Sequence, residues 1–192
     1  MTRLILASTS KYRSELLARL GLPFRTCAPN VDERIEPDEG PGEAAARLAR
    51  AKAEAVQAAD AIVVGADQVP SLEGRILRKP GTHEAAVEQL LACGGRSVAF
   101  HTAVAVIERP GGRRWESVDV TEVLFDDLTR ERVDRYLRRD RPYDCAGGFK
   151  AEGLGIALFK AIRTNDPTAL IGLPLIWLAG ALREAGLDPL GA

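Results

Sequence analysis

The segment RLILASTSKYR, residues 3–13, places a strand, a polar turn and a helix in immediate succession. The apolar run within Arg3–Ala7 predicts a buried strand. The hydroxyl side chains of Ser8–Ser10 are of the types that cap a helix N-terminus, so a helix is predicted over Lys11–Leu20. Gly21 then supplies a typical helix terminator. A strand feeding directly into a helix favours an α/β protein.

Extended and helical patterns alternate along the rest of the chain, which predicts an α/β fold with a mixed sheet. The apolar segment Ala61–Val64 predicts a short buried strand that ends before GADQ, and Arg75–Lys79 is extended up to a proline. Two long strands, Ser97–Glu108 and Arg114–Phe125, flank Pro110-Gly111-Gly112 and so form a predicted hairpin. Further helices are predicted over Glu43–Ala59, Thr82–Ala92, Thr129–Arg139 and Pro174–Ala185. We expect one domain over residues 1–192.

Composition excludes several classes of protein. The chain has 192 residues, with 26 Lys and Arg against 27 Asp and Glu, so a net charge of -1 provides no basic field to attract nucleic acid. Three widely spaced cysteines favour neither a disulfide framework nor structural zinc, and they fit a reducing cytoplasm. The apolar run Ala169–Leu182 is shorter than the roughly 20 residues that span a bilayer. The apolar stretch before Ser8 is too short for a secretory signal.

The turn at Ser8–Arg13 is a candidate anion site. Backbone N–H groups at a helix N-terminus and the cations Lys11 and Arg13 suit a phosphate. The segment is neither a Walker A loop nor a GxGxxG motif, and simple helix capping by Ser8 and Ser10 explains the same hydroxyls. Both interpretations stay open from the residues alone.

Lys52 and Asp67 are the second and third candidates. Lys52 shares its helix face with Leu48 and Val56, so it should point toward the core, where a lysine either pairs with a structural carboxylate or serves a function. Asp67 follows a predicted strand, at the kind of edge where α/β sheets bind ligands, and Gly65 would leave room for a ligand. It could hold a metal or deprotonate water, or only shape a turn. Glu33, in the acidic loop 31–42, is a second candidate carboxylate.

Two further segments carry weaker signals. Lys79 precedes a proline and is therefore held in an extended conformation. The glycine-rich run Gly147–Gly155 bends around Lys150 and Glu152, and such a run inside a chain favours a wall of a ligand site.

Seven motifs, taken together and in order, resemble the Maf family of nucleoside triphosphate pyrophosphatases. They extend over essentially the whole chain, which makes the resemblance far more specific than any single motif. The motifs are LASTSKYR (Leu6–Arg13), VDE (Val31–Glu33), RLARAKAEA (Arg47–Ala55), GADQV (Gly65–Val69), KP (Lys79–Pro80), AGGFKAEGLG (Ala146–Gly155) and DPTALIGLPL (Asp166–Leu175).

The resemblance implies a two-lobed α/β fold, with a strongly twisted mixed sheet flanked by helices and a central cleft, and it is compatible with a homodimer. The implied reaction is hydrolysis between the α and β phosphates with Mg²⁺ or Mn²⁺. Asp67 would be the proton acceptor, and Glu33 would help it to hold the metal or the water. The triphosphate would be held by cations and hydroxyls at Ser8, Ser10, Arg13, Lys52 and Lys79.

Within the family the chain is similar to the subgroup that hydrolyses 7-methyl-GTP. Tyr12, Gln68 and Glu152 stand where the subgroup acting on dTTP and UTP typically has Arg, Thr and Gln. N7 methylation makes the purine cationic, which suits the aromatic face of Tyr12, and an ionised Glu152 accepts hydrogen bonds from guanine N–H groups. The 7-methyl-GTP subgroup often has Pro-Trp where this chain has Lys11-Tyr12, so only the aromatic character is retained.

Two alternatives accompany this interpretation. The same chemistry could act on dTTP or UTP. A non-catalytic nucleotide-binding regulator of cell division is the alternative from another class, although such a protein has no need for Asp67 beside a lysine. The expected partner is a small nucleoside triphosphate, with neither nucleic acid nor a membrane.

Overall fold

The computed structural model describes residues 3–191, so Met1, Thr2 and Ala192 of the predicted 1–192 domain lie outside the described residues. The described chain has seven strands, five α-helices and three short 3-10 turns. The strands are β1 (Arg3–Ala7), β2 (Phe24–Cys27), β3 (Ala61–Leu72), β4 (Arg75–Ile76), β5 (Ser97–Arg109), β6 (Arg114–Phe125) and β7 (Phe159–Arg163). The α-helices are α1 (Lys11–Ala18), α2 (Pro41–Ala55), α3 (His83–Cys93), α4 (Arg130–Asp140) and α5 (Leu175–Glu184). The 3-10 turns are Ala146–Gly148, Leu154–Leu158 and Ala169–Ile171.

All seven strands belong to one mixed sheet, which confirms the predicted α/β fold class. Their order is β2-β1-β3-β5-β6-β7, and β4 pairs with β3. β1 runs parallel to both β2 and β3, with Ala7 opposite Cys27 on one side and Gly65 on the other. β7 is antiparallel to β6.

The chain divides into two compact units, each assembled from separate stretches of sequence. Of the described residues, the first unit comprises 3–68, 102–119 and 166–191, and the second comprises 69–101 and 120–165. The core of the first unit is formed by aliphatic side chains of β1, β3 and β5 packed against α1 and α5. Its fully buried members include Leu6, Leu17, Ile62, Leu178 and Leu182.

The second unit has an aromatic core. Phe149 lies edge-to-face against Phe100, Phe125 and Phe159, with ring centroids 5.1 to 5.2 Å apart. Such pairs add about 0.5–1.5 kcal/mol beyond the burial of their area. Phe149 belongs to the glycine-rich run, so part of that run packs in the core.

The largest difference from the predicted elements concerns β3. The predicted strand ended at Val64, whereas the actual strand continues through Asp67 and Pro70 to Leu72. Pro70 is tolerated because β1 ends opposite Gly65 and β4 pairs with β3 only from Ser71 onward. Asp67 therefore lies within a strand, and the prediction that it follows one is wrong.

Helix boundaries shift by a few residues, while the caps agree with the prediction. Thr82 accepts a hydrogen bond from Ala85 N at 3.2 Å, and Thr129 caps α4 in the same way. α2 begins at Pro41 rather than Glu43, because proline is favoured in the first helical turn.

The prediction missed β2 and β7 and extended the second-unit strand β4 too far. β2 and β7 are short and largely exposed on both faces, so neither shows the apolar alternation that identifies a strand. Among residues 3–191, no helix is long and apolar enough to cross a membrane.

Candidate active site

Three chain segments of the first unit meet at the carboxyl ends of its parallel strands. β1 and β2 stop at Ala7 and Cys27, and the register places Ala7 between Cys27 of β2 and Gly65 of β3. β3 alone continues, so Asp67 lies just past the end of β1. The turn into α1 and the loop that carries Glu33 both start from this edge. This is the position where open parallel sheets bind ligands.

Lys52 is the centre of a charged cluster at this edge. Its ammonium lies 2.5 Å from Asp67 Oδ1 and 2.7 Å from Glu33 Oε1. The lysine residue is 5% exposed, as its position on the apolar face of α2 predicted. The side chain of Asp67 is 13% exposed and that of Glu33 is 57% exposed, so the cluster extends from the interior to the surface.

Gly65 allows α2 to approach close enough for this contact. A Cβ atom at Gly65 would lie 2.2 Å from the carbonyl oxygen of Ala49 and 2.6 Å from the amide nitrogen of Ala53. The expectation that Gly65 leaves room for a ligand is wrong, since the backbone of α2 occupies that space. The glycine instead brings the helix that carries Lys52 against the strand that carries Asp67.

Arg13 is anchored through one nitrogen. Its Nε donates to the carbonyl of Gly172 at 3.0 Å, and its two terminal nitrogens have no hydrogen-bond partner in the described part of the chain. Burial lowers the pKa of Arg13, while the negative charges of Asp67 and Glu33 oppose that shift. A partly desolvated guanidinium with two available nitrogens is suited to an anion.

The hydroxyls of Ser8 and Ser10 are engaged within the turn. Ser8 Oγ accepts from Ser10 N at 3.1 Å, and Ser10 Oγ accepts from Arg13 N at 3.3 Å as the cap of α1. Ser8 is 5% exposed. The capping interpretation is thus confirmed for Ser10, whereas Ser8 bonds to the N-cap residue and not to an amide of the helix. A role of either in substrate binding stays a prediction.

The two specificity candidates of the first unit differ in their surroundings. Tyr12, in the first turn of α1, is exposed. Gln68 is half-buried, and its amide nitrogen donates to the hydroxyl of Thr102 at 2.8 Å. The same nitrogen donates to the carbonyls of Ala169 and Leu170, at 3.0 and 3.1 Å.

The second unit contributes Lys79 and Glu152, both exposed. Among residues 3–191 neither forms a hydrogen bond or an ion pair. Lys150 does not pair with Glu152, because its ammonium points to the carbonyl of Asp140 at 3.4 Å. The chain packs closely on itself after Glu152: a Cβ at Gly155 would lie 2.4 Å from Lys150 O, so only glycine fits there.

The carboxylates of Glu33 and Asp67 are the candidate ligands for a divalent metal in the first unit. Within the described chain, no three His, Cys, Asp or Glu side chains form a cluster that could enclose a metal. Glu33 and Asp67 nevertheless converge on the one ammonium of Lys52. Mg²⁺ in nucleotide enzymes is usually bound by one or two carboxylates together with substrate phosphates. The pair fits a metal that arrives with a polyphosphate.

Several residues that shape this edge were not singled out from the sequence. Asp166 accepts from Ile176 N at 2.7 Å, and the hydroxyl of Thr168 accepts from Leu175 N at 2.9 Å, so together they cap α5. The DPT motif that contains them was visible only as part of the family resemblance. Thr102 lies inside an apolar strand and carries no sequence signal of its own.

The family of the chain follows from comparison with known proteins. The model of the Maf-like protein family matches residues 3–185, and the chain belongs to that family. The predicted family resemblance is therefore confirmed.

Curated relatives extend over nearly the full length. A 7-methyl-GTP pyrophosphatase from Xanthomonas axonopodis pv. citri is 54% identical over 190 residues, covering 98% of this chain and 99% of the relative. Proteins of the same name from Nitrosococcus oceani and Bordetella pertussis are 49% and 51% identical, over 95% and 98% of this chain and 93% and 94% of their own lengths. A HAM1 protein from Coxiella burnetii has a similar fold, with a TM-score of 0.55 at 17% identity, covering 96% of this chain and all of the other.

Proposed function

We propose that the chain is a nucleoside triphosphate pyrophosphatase that converts 7-methyl-GTP and water to 7-methyl-GMP and diphosphate. The observation that carries this proposal is the cluster in which buried Lys52 contacts both Asp67 and Glu33, beside Arg13. The full-length relatives named 7-methyl-GTP pyrophosphatase support the choice of substrate. An activity that removes a modified nucleotide from the pool is a house-cleaning function.

Asp67 is the proposed general base. Lys52 holds its Oδ1, while Oδ2 has no hydrogen-bond partner among residues 3–191 and can take a proton from water. The water oxygen then bonds to the α-phosphorus as the bond from that phosphorus to the oxygen bridging the α and β phosphates breaks. The electron pair of that bond leaves with diphosphate. A fixed carboxylate oxygen orients the attacking water before the bond is broken.

Cations are the second requirement, because a triphosphate carries about four negative charges at neutral pH. Arg13 can donate two hydrogen bonds from its terminal nitrogens, and Lys52 adds a fixed positive charge. The family resemblance also proposes Lys79 as a cation that binds phosphate. Glu33 and Asp67 would hold Mg²⁺ or Mn²⁺, which neutralises charge that develops on the phosphate oxygens.

Recognition of the base is assigned to the exposed side chains. The cationic ring of an N7-methylated purine is attracted to the face of Tyr12 by about 0.5–2 kcal/mol. An ionised Glu152 can only accept hydrogen bonds, which suits the N–H groups of guanine and disfavours pyrimidine triphosphates. The resemblance adds Gln68 to these two, although its amide nitrogen already bonds to protein groups.

The decisive experiment compares wild-type protein with Asp67→Asn. We expect diphosphate release from 7-methyl-GTP in preference to GTP, UTP and dTTP, with Mg²⁺ or Mn²⁺ present. The kcat of the variant should fall by about 10²–10⁴-fold, because it lacks the base. Its affinity for the nucleotide, measured by calorimetry, should stay within a few-fold of wild type.

Each other outcome points to a different function. A loss of affinity as large as the loss of rate would assign Asp67 to metal binding alone. Preference for dTTP or UTP would retain the chemistry and overturn the choice of substrate. Binding without any turnover would favour the nucleotide-binding regulator. A cytoplasmic location, a homodimer and the absence of nucleic acid as a partner stay predictions, and sedimentation of the purified protein tests the second of them.

A further inference from the structure

The side chain of Gln68 holds a turn of the backbone. Its amide nitrogen has three acceptors for two hydrogens: Thr102 Oγ1, Ala169 O and Leu170 O. Two of these are carbonyls, and the Thr102 hydroxyl donates its own hydrogen to Ala169 O at 3.0 Å. The amide orientation is thereby fixed, with the nitrogen toward the protein.

The carbonyl of Ala169 joins these contacts to Arg13. It accepts from Gln68, from Thr102 and from the backbone N–H of Gly172 at 2.9 Å. Gly172 in turn accepts from Arg13 Nε. Its φ of +122° requires glycine, and a Cβ there would lie 3.4 Å from Arg13 Nε. The turn 169–172 therefore connects Gln68 to Arg13 by an unbroken series of hydrogen bonds.

Gln68 and Asp67 lie on opposite faces of β3, because successive side chains of a strand alternate. The contacts agree with this alternation. Asp67 meets Lys52 on the α2 side, whereas Gln68 meets the turn 169–172 on the side of α5. Arg13 lies in α1, which begins shortly after the end of β1, and β1 ends before Asp67.

From these contacts we infer that Gln68 is a positioning residue that acts through the turn 169–172 on Arg13, together with buried Thr102. Its target is then the polyphosphate rather than the base. The inference rests on the proposed function only for the part that concerns nucleotides. It assigns roles to Thr102 and to the Ala169 carbonyl, and it gives Gln68 a role other than direct contact with the base.

Matched variants test this inference. Gln68→Leu removes the side-chain amide at similar volume, Thr102→Val removes only the hydroxyl, and Thr102→Ser retains it. The measurements are kcat/KM on 7-methyl-GTP, GTP and UTP, and the dissociation constant of inorganic triphosphate by calorimetry. Inorganic triphosphate has no base, so it reports on the phosphate site alone.

We expect Gln68→Leu to weaken triphosphate binding about tenfold and to lower kcat/KM on all three nucleotides by a similar factor. Thr102→Val should show a smaller loss of the same kind, about threefold, and Thr102→Ser should restore wild-type values. Combined with Arg13→Met, the Gln68→Leu variant should have no added effect on triphosphate binding, because both changes act on one contact.

The opposite results would overturn the inference. Unchanged triphosphate binding with altered preference between 7-methyl-GTP and UTP would show that Gln68 contacts the base. If the effects of Gln68→Leu and Arg13→Met on triphosphate binding were additive, Gln68 would not act through the turn on Arg13. If Gln68→Leu fails to fold by circular dichroism, the Thr102 pair gives the same test. Absence of turnover by wild-type protein would defeat the proposed function, while the triphosphate measurements would still decide the inference.

Discussion

The candidate residues of the two units differ in how they are held. In the first unit, Lys52, Asp67 and Arg13 are bonded to protein groups and largely removed from solvent. In the second unit, Lys79 and Glu152 are exposed and have no hydrogen bond or ion pair among residues 3–191. Groups fixed before binding need no reorganisation during the reaction, whereas mobile side chains lose rotamer freedom when a ligand orders them. The comparison predicts that substitutions in the cluster of the first unit change stability and turnover together, whereas substitution of Glu152 leaves stability unchanged.

The largest effect is expected from Lys52→Met. The substitution leaves the mostly buried Asp67 without its cation, so we expect a loss of about 3 kcal/mol in the free energy of unfolding. Turnover should fall by about 10²–10³-fold, because a fixed positive charge near the reacting phosphates is lost. Urea denaturation and diphosphate release measure the two effects.

Lys52→Arg is the matched control for this change. It keeps the charge but not the compact ammonium, so it should recover more stability than turnover. If Lys52→Met changed neither quantity, the first unit would not owe its preorganisation to this lysine.

Gly65→Ala is expected to have the next largest effect. The new methyl group would meet backbone atoms of Ala49 and Ala53, which cannot rotate away. The helix must shift, at a cost of about 2–3 kcal/mol in the free energy of unfolding. Displacement of Lys52 should also lower turnover about tenfold, because a small misplacement of a catalytic group is costly.

Gly180→Ala in α5 serves as the control, since a Cβ at Gly180 has no atom within 4 Å. It should stabilise the protein by about 0.5–1 kcal/mol, as alanine favours a helix. Equal destabilisation by both substitutions would contradict the role assigned to the close approach at Gly65.

The smallest effect is expected from Glu152→Gln in the second unit. An exposed side chain without partners contributes little to folding, so the free energy of unfolding should change by less than about 0.5 kcal/mol. Preference for 7-methyl-GTP over UTP should fall about tenfold, because a charged acceptor is replaced by a neutral one.

The ratio of kcat/KM values for the two nucleotides measures this preference. Glu84→Gln changes another exposed glutamate of the second unit and should leave the ratio unaltered. A large loss of stability in Glu152→Gln would remove the distinction between the two units.

The sequence was most informative where local rules decide the structure. The caps at Ser10 and Thr82 and the inward position of Lys52 all follow from neighbours within one helical turn. Seven motifs indicated the family and most of the candidate residues. Local rules failed at β3, where Gly65 and Pro70 look like the end of a strand. The strand can continue through these two residues because α2 packs against Gly65 and β1 ends before Pro70, and both are features of the tertiary structure.

The hydrogen bonds around the turn 169–172 could not be predicted from the sequence either. Thr102 and Ala169 are 67 residues apart, and an apolar strand with one threonine gives no reason to expect a shared carbonyl. Arg13 and Gly172 are separated by 159 residues. Such contacts form only when distant segments are brought together by the core of the first unit.

The burial of Lys52 also sets it apart chemically from the other lysines of the chain. The sequence contains 21 arginines and only five lysines, of which Lys11, Lys79 and Lys160 are exposed and Lys150 is half-buried. An acylating reagent needs an accessible, uncharged amine, so it should modify these four well before the ion-paired Lys52. The labelling rate at Lys52, followed by mass spectrometry, would then report how often this region of the molecule opens to solvent.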